Sequence, residues 1–175
     1  MPALDTVLKI SMHVVLGASK EQYTFTITAK FGDIMATTLV DSGSSATFMS
    51  PELTNKIKCL LIPHSKIKAM VANGQALYTE FHTDGCNYQI QGHDLTFDFK
   101  LLPLKGYDVI LGTDWIKFHN PVTLDYKKMY MQITLVTNEL LTIWDESLPT
   151  SPHIKLTDNI NLLQEDNVCG VVVWV

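Results

Sequence analysis

Short apolar stretches, separated by turn-forming residues, recur along most of this sequence. Between residues 23 and 135 these stretches are rich in β-branched and aromatic side chains and begin roughly every 8–12 residues. The clearest pair is residues 23–30 and 34–40, because each stretch favours a strand and segment 31–33 between them favours a turn. Regular spacing of this kind is typical of closed or nearly closed sheets. We therefore predict an all-β, barrel-like domain.

Further hairpins, strands and short helices continue the pattern. Residues 67–77 predict a hairpin with Asn73 and Gly74 at its tip, since an Asn-Gly pair favours a tight turn. The composition of residues 147–152 is typical of a linker. The sequence further predicts strands over residues 95–102, 108–112, 122–124 and 170–175, a hairpin over residues 129–144, and helices over residues 113–118, with Thr113 as N-cap, and 156–164.

The composition supports a single folded core. The 175 residues are 46% hydrophobic and 18% charged, which excludes a charge-rich disordered chain. The longest uninterrupted apolar run, residues 171–175, is much shorter than the roughly 20 residues of a membrane-spanning helix. We therefore expect no membrane partner, and the N-terminal segment lacks the features of a secretory signal.

The charges are distributed unevenly. Residues 1–136 contain 12 lysines and 12 acidic residues, whereas residues 137–175 contain one lysine and six acidic residues. The sequence contains no arginine and no basic stripe, so we expect no direct binding of nucleic acid. The three cysteines are widely spaced and odd in number, which favours free thiols in a reducing compartment, and no His/Cys spacing is typical of a metal site.

The segment Asp41-Ser42-Gly43 is the most informative chemical motif. A predicted strand leads directly into it, so that a carboxylate, a hydroxyl and a glycine lie at a strand end. Gly43 allows a sharp turn and its N–H can hold the carboxylate, while the Ser42 hydroxyl can bond to a second copy of the loop. The tripeptide on its own also fits an ordinary polar exit from a strand, so its context decides between the two interpretations.

Three segments together resemble one protein family. Residues 38–50 contain Asp-Ser-Gly, residues 71–75 contain the tip of the predicted hairpin, and residues 102–116 contain Asp-Val-Ile-Leu-Gly. In this order they resemble the retropepsin-like aspartic proteases, and among these the protease of Ty3/Gypsy-type LTR retrotransposon Pol polyproteins. The resemblance covers residues 23–136. It implies a retropepsin-like acid protease barrel, with one lobe per chain and a short helix after the Ile-Leu-Gly strand.

The same resemblance implies a domain organisation and a location. Residues 1–22 would be an N-terminal lead segment, residues 23–136 the protease domain, and residues 137–175 a connector toward a reverse transcriptase. The expected location is the cytoplasm, within the virus-like particle of a retroelement.

The resemblance also implies a catalytic mechanism. Asp41 would be the catalytic carboxylate, and the sequence has no second Asp-Ser-Gly or Asp-Thr-Gly motif. Two carboxylates that share one proton are needed, so the active species would be a homodimer with one Asp41 from each chain. The substrate would be an extended polypeptide, a Gag-Pol polyprotein cleaved between apolar residues. No metal or cofactor is implied.

Other residues acquire expected roles through the same resemblance. The active-site loop would be supported by Ser42, Gly43, Ile110, Leu111 and Gly112. The flap over the substrate would comprise Met70, Val71, Ala72, Asn73, Gly74, Gln75 and Ala76. The sequence departs from retroviral relatives at two positions, because Ser45 and Thr113 stand where those enzymes commonly have an aspartate and an arginine that pair.

Alternative functions remain open at this point. A serine hydrolase based on Ser44 or Ser45 is weakly supported, because no Gly-x-Ser-x-Gly motif occurs. Cys59 or Cys86 as a nucleophile is also weakly supported, since both fit small buried residues. The main alternative is a domesticated or inactive module of the same fold that dimerises or binds without proteolysis. A relative of ubiquitin-shuttle proteins would need flanking ubiquitin-like segments, which this sequence does not show.

Overall fold

Two β-sheets form most of the described chain, and the prediction of an all-β fold is confirmed. The structure is a computed structural model that describes residues 7–11, 24–146 and 171–173. In chain order the strands are β1 (Leu8–Ile10), β2 (Phe25–Phe31), β3 (Ile34–Val40), β4 (Phe48–Met49), β5 (Leu61–Val71), β6 (Ala76–Thr83), β7 (Cys86–Ile90), β8 (His93–Phe97), β9 (Lys100–Leu101), β10 (Val109–Leu111), β11 (Val122–Asp125), β12 (Tyr130–Thr134), β13 (Leu140–Trp144) and β14 (Val171–Val173), and the helices are α1 (Pro51–Ile57) and α2 (Thr113–Phe118).

The larger sheet has a parallel strand pair near its centre. Its ten strands follow the order β1-β5-β6-β9-β4-β10-β3-β2-β7-β8, and the smaller sheet follows the order β13-β12-β11-β14. β3 and β10 are parallel, with Thr38 opposite Val109 and Val40 opposite Leu111. Because the two strands run in the same direction, the loops that follow them leave the sheet at the same edge. The candidate site lies at this edge.

The predicted hairpins are present, and residues that adopt a positive φ form two of their turns. β2 and β3 pair in antiparallel register from Phe25 opposite Val40 to Phe31 opposite Ile34. Gly32 in the connecting turn has a φ of 59°, a conformation that favours glycine. β12 and β13 also form an antiparallel pair, and Asn138 in their turn has a φ of 64°. Local alternation and turn chemistry are therefore sufficient to predict these elements.

The hairpin predicted over residues 67–77 is formed by β5 and β6, which extend beyond it in both directions. Its tip contains Asn73 and Gly74 as expected, but only Gly74 has a positive φ, 86°. The Gly74 N–H donates to Val71 O at 2.8 Å, and Val71 N–H donates to Gln75 O at 2.8 Å. This pattern belongs to a three-residue loop in which glycine occupies the left-handed position. The Asn73 side chain accepts the Gln75 N–H at 2.9 Å and so stabilises the loop.

Two sequence-based expectations need correction. The predicted strand over residues 95–102 is interrupted after Phe97, and the Asp98 carboxylate accepts the Gly85 N–H at 2.6 Å. The helix over residues 113–118 is present as α2, but its N-cap is Gly112 and not Thr113. Thr113 is instead the first residue of the helix, no side chain caps the helix by a hydrogen bond, and the Thr113 hydroxyl donates to the carbonyl of Ser45 at 3.2 Å.

Helix α1 was not predicted, although its start signal is present in the sequence. The Ser50 hydroxyl accepts the Leu53 N–H at 3.2 Å, and Pro51 occupies the first helical turn. Lys58 ends the helix in a left-handed conformation with a φ of 52°. A helix of seven residues is too short to show a clear apolar period, so Ser50 and Pro51 at its start are the main local signals.

Two groups of buried side chains fill the interior. The larger group lies around Trp115, whose indole N–H donates to the Tyr88 hydroxyl at 2.7 Å. The hydrogen bond and burial act on Tyr88 in opposite directions, and burial, the larger effect, raises the pKa of its phenol. The smaller group surrounds the candidate site and consists of Leu8, Ile10, Leu39, Ala46, Phe48, Ala69, Val71, Leu102 and Ile110.

The remaining predictions concern the C-terminal part. Of the predicted strand over residues 170–175, residues 171–173 form β14, which pairs antiparallel with β11, and the other three lie outside the described residues. The predicted linker over residues 147–152 and helix over residues 156–164 lie outside the described residues. Neither helix of the described part is long and apolar enough to cross a membrane.

Candidate active site

Asp41 lies at the end of β3, where the sheet delivers its carboxylate to the edge. Its backbone N–H donates to the carbonyl of Leu111 at 2.9 Å, so the parallel strand β10 determines where the chain leaves the sheet. Leu39, Ile110 and Leu111 around it are almost completely buried. The apolar strands thus form a rigid base for a partly exposed carboxylate.

Neighbouring donors orient both oxygens of this carboxylate. The Gly43 N–H donates to Asp41 Oδ1 at 2.9 Å, and the Ser44 hydroxyl donates to Oδ2 at 2.9 Å. The Ser11 hydroxyl, from the N-terminal segment, also donates to Oδ2. Charge-assisted hydrogen bonds of this kind hold a carboxylate in one orientation. Ser42 is exposed on the same loop.

Gly112 permits the close contact between the two loops of the site. We call residues 41–47 the Asp41 loop. A Cβ atom on Gly112 would lie 2.1 Å from the carbonyl oxygen of Ala46 and 2.8 Å from that of Ser44. The adjacent Thr113 N–H donates to the Ser44 carbonyl at 2.8 Å. Only glycine allows the two backbones to approach this closely.

A polar contact between Thr47 and Asp114 supports the loops from behind. The Thr47 hydroxyl donates to Asp114 Oδ1 at 2.6 Å and accepts the Gly112 N–H at 3.0 Å. The Asp114 carboxylate also accepts the Trp115 N–H at 2.7 Å. Asp114 therefore has a structural role: it connects helix α2 to the Asp41 loop.

The two positions that depart from retroviral relatives contact each other directly. The Thr113 hydroxyl donates to the Ser45 carbonyl at 3.2 Å. A neutral hydrogen bond thus joins the positions at which the resemblance implies an ion pair in relatives. The loop contact is retained without a buried charge.

The end of β5 and the Asp41 loop lie on opposite sides of β1, and we call the place between them the groove. We call residues 70–76 the hairpin tip. Ala72, Asn73, Gly74 and Gln75 are exposed, whereas Val71 is buried in the group of side chains that includes Ala46 and Ile110. The Met70 and Ala76 side chains are partly buried. The structure therefore brings the apolar base of the hairpin tip together with the Asp41 loop, and leaves its polar end facing outward.

Four side chains that shape the site could not be identified from the sequence: Ser11, Ser44, Thr47 and Asp114. The contacts of Ser11 with Asp41 and of Thr47 with Asp114 join residues 30 and 67 positions apart. No local pattern signals such contacts. Ser44 is closer, but the sequence does not show that its buried hydroxyl points toward the carboxylate.

The surroundings of Cys86 argue against this thiol as a catalytic nucleophile. The Cys59 and Cys86 sulfur atoms lie 3.2 Å apart, at the end of α1 and the start of β7. Burial, with a smaller contribution from Cys59, raises the pKa of Cys86 to about 12. The Cys86 thiol is therefore protonated at neutral pH, and a protonated thiol is a poor nucleophile. Within residues 7–11 and 24–146, no group of three or more potential ligands could hold a metal ion.

Known proteins resemble this chain in sequence and in fold. A sequence profile of the PEG10/RTL1 protease domain matches residues 37–136. The retroviral protease-like domain of Ddi1 from Leishmania major superposes with a TM-score of 0.50 and 15% identity, covering 75% of this chain and 100% of that chain. The EIAV protease complexed with the inhibitor HBY-793 gives a TM-score of 0.41 and 17% identity, covering 55% of this chain and 88% of that chain. Comparison with curated proteins gave no match.

Proposed function

Because the chain belongs to the PEG10/RTL1 protease domain family, which is retropepsin-like, we propose that it is an aspartic endopeptidase with Asp41 as its catalytic residue. The observation that carries the proposal is the orientation of this carboxylate. Gly43 and Ser44 donate hydrogen bonds to its two oxygens at the edge of a rigid sheet. A partly exposed carboxylate held beside an apolar groove fits hydrolysis of a peptide bound in that groove.

The proposed active species is a homodimer. One chain carries one Asp-Ser-Gly motif, and an aspartic protease needs two carboxylates. We propose that two copies place their Asp41 loops face to face across a two-fold axis. The exposed Ser42 hydroxyl would then bond to the opposite loop. Gly112 would contribute by holding each loop close to β10.

The reaction would proceed by general acid–base catalysis. Two carboxylates about 3 Å apart cannot both ionise, so they share one proton. The ionised Asp41 would take a proton from a water molecule, which attacks the peptide carbonyl, while the protonated Asp41 donates to the carbonyl oxygen. The dyad would then protonate the leaving amine. The mechanism uses neither a metal nor a cofactor.

The proposed substrate is an extended polypeptide with apolar residues at the cleaved bond. Val71, Ala46 and Ile110 are buried together with Leu8 and Ile10 of β1, so a peptide in the place of β1 would meet an apolar surface. We propose that residues 70–76 act as the flap: they would close over the peptide, add backbone hydrogen bonds and exclude water. Neither a nucleic acid nor a membrane is part of the proposal.

The resemblance in sequence is the basis for proposing an origin, a class of substrate, a location and a domain division. We propose a Ty3/Gypsy-type origin, with Gag-Pol polyproteins as substrates in cytoplasmic virus-like particles. The proposed domain division places the protease at residues 23–136, between a lead segment and a connector. The proposed connector contains strand β13, which pairs with β12 of the proposed protease domain.

A second candidate is a domesticated module that binds without cleaving. The matched family is a domesticated one, and a segment of the chain itself lies against Asp41. Such a module would keep the fold and the groove but would not turn over peptides. The intact arrangement around Asp41 favours the first candidate, because binding alone does not need an oriented carboxylate.

Comparison of Asp41→Asn with Asp33→Asn tests the two candidates. Asp33 is exposed in the turn at the other end of β3 and serves as a matched control. We expect Asp41→Asn to reduce peptide hydrolysis by at least about 1,000-fold with unchanged thermal stability, and Asp33→Asn to retain full activity. Hydrolysis by Asp41→Asn at the measurable rate of the wild type would exclude Asp41 as the catalytic residue. A wild-type chain that binds peptides without cleaving them would support the binding module.

A further inference from the structure

Strand β1 lies in the groove between the hairpin tip and the Asp41 loop. It pairs in parallel with the end of β5, with Lys9 opposite Met70 and Ile10 opposite Val71. The Ala72 N–H donates to the Ile10 carbonyl at 3.2 Å. On one side, therefore, β1 extends the sheet of the hairpin tip by one strand.

The other side of β1 is bonded to the Asp41 loop. The Ser45 N–H donates to the Lys9 carbonyl at 2.9 Å, and the Lys9 N–H donates to the Ser45 hydroxyl at 2.8 Å. Two residues further along, the Ser11 N–H donates to the Ser44 hydroxyl at 3.4 Å. The backbone of β1 is thus held from both walls of the groove, as an added strand is held in peptide recognition.

The side chains of β1 alternate as a bound strand requires. Leu8 and Ile10 are 8% and 2% exposed and pack among the apolar residues of the groove, whereas the Lys9 side chain points to solvent. Ser11 then places its hydroxyl on Asp41 Oδ2. An added Cβ on Gly43 would lie 3.2 Å from the Cβ of Ser11, so the strand also passes close to the backbone of the loop.

From these contacts we propose that the groove beside Asp41 is a binding site for one extended peptide strand, and that residues 8–11 occupy it as an intramolecular inhibitor. A peptide in trans must displace β1 before it can reach the carboxylate. The inhibition rests on the proposed protease function, whereas the peptide-binding site does not depend on it.

The occupant also defines the chemistry of a competing ligand. The ligand is an extended segment with apolar side chains at alternate positions, which fill the places of Leu8 and Ile10. Its residue next to Asp41 is small and able to hydrogen-bond, as Ser11 is. The position between the apolar residues tolerates a long charged side chain, because Lys9 is exposed there.

Ile10→Gln in the full chain tests the proposal, with Val7→Gln as matched control. Ile10 is buried in the groove, whereas Val7 is 45% exposed and precedes the bonded strand. The probe is a fluorescently labelled peptide with the sequence of residues 7–11, and its binding is measured by fluorescence anisotropy. Weakening the occupant raises the fraction of open groove and lowers the apparent Kd of the probe. We expect about a tenfold tighter Kd in Ile10→Gln and no change in Val7→Gln.

A second variant, Ser11→Ala, tests the proposal if Ile10→Gln does not fold. Ser11→Ala removes only the hydroxyl contact with Asp41, and we expect about threefold tighter probe binding together with faster amide exchange at Ser45 and Ala72. Identical probe affinity and identical exchange in the wild type and the variants would overturn the proposal.

Peptide hydrolysis by the same variants separates the two proposals. Tighter probe binding without hydrolysis in any variant would support the strand site and remove the protease function. Measurable hydrolysis with the same KM in the wild type and Ile10→Gln would retain the protease and overturn the inhibitory strand. A lower KM in Ile10→Gln would support both.

Discussion

Gly112 is the residue at which the two loops of the candidate site come closest. We expect Gly112→Ala to lower the free energy of unfolding by at least about 2 kcal/mol, because the new Cβ would lie 2.1 Å from the Ala46 carbonyl oxygen and must push the loops apart. Gly32→Ala is the matched control: Gly32 has a φ of 59° with no atom within 4 Å of an added Cβ, so only backbone strain of about 1 kcal/mol is expected. Urea unfolding measures both. Equal losses would show that the loops can separate freely.

His119 carries a second prediction at the scale of single residues. It is 2% exposed, and burial lowers its pKa below the usual value of 6.5, although a bond to the Thr134 carbonyl acts in the opposite direction. Below pH 6.5 the unfolded chain binds a proton that the folded chain does not bind. The free energy of unfolding should therefore decrease as the pH falls from 6.5 toward the lowered pKa.

Urea unfolding across this pH range checks the His119 prediction. His119→Gln should reduce the loss of stability at acid pH, whereas His93→Gln should not, because His93 is exposed. A pH dependence that is the same in His119→Gln and the wild type would assign the acid sensitivity to other groups.

At the scale of elements, the β5–β6 hairpin is the part whose motion the proposed function requires. Gly74 at its tip and Gly92 between β7 and β8 have φ values of 86° and 84°, and neither has an atom within 4 Å of an added Cβ. Valine at either position should cost a similar strain of roughly 1–2 kcal/mol. Only Gly74→Val should slow peptide hydrolysis, because only that turn must close over the substrate. Steady-state kinetics of peptide hydrolysis by both variants test this prediction. Equally slow hydrolysis in the two variants would indicate a general loss of stability.

At the scale of the whole molecule, activity should depend on protein concentration. One chain supplies half of the proposed dyad, so the rate should rise with about the square of concentration where the monomer dominates and linearly once dimers form. The net charge of residues 1–136 is zero, whereas residues 137–175 are acidic and would repel their copy if the two lie close. Added salt should then favour the dimer. Sedimentation velocity and specific activity, measured at the same series of protein concentrations, test this dependence. A chain that stays monomeric with constant specific activity would exclude a shared dyad.

The sequence by itself determined the elements whose signals are local. Alternating β-branched residues and a positive-φ glycine are enough to form the β2–β3 hairpin, because its pairing partners are neighbours in the chain. The same holds for the strand that leads into Asp41 and for helix α2. Local signals did not determine where α2 begins, since the N–H groups of Gly112 and Thr113 donate to Thr47 and Ser44, in a loop that is distant in sequence.

Only the tertiary structure decided what surrounds Asp41. Strand β1 has three residues, which is too short for a recognisable period, and it exists as a strand because β5 and the Asp41 loop satisfy its backbone. The hydrogen bond from Thr47 to Asp114 spans 67 positions, and the contact of Gly112 with Ala46 depends on the parallel pairing of β3 and β10. Such contacts arise from the path of the chain in space. A sequence can therefore indicate a catalytic carboxylate, while the packed sheet determines which groups bind to it and which segment lies in its groove.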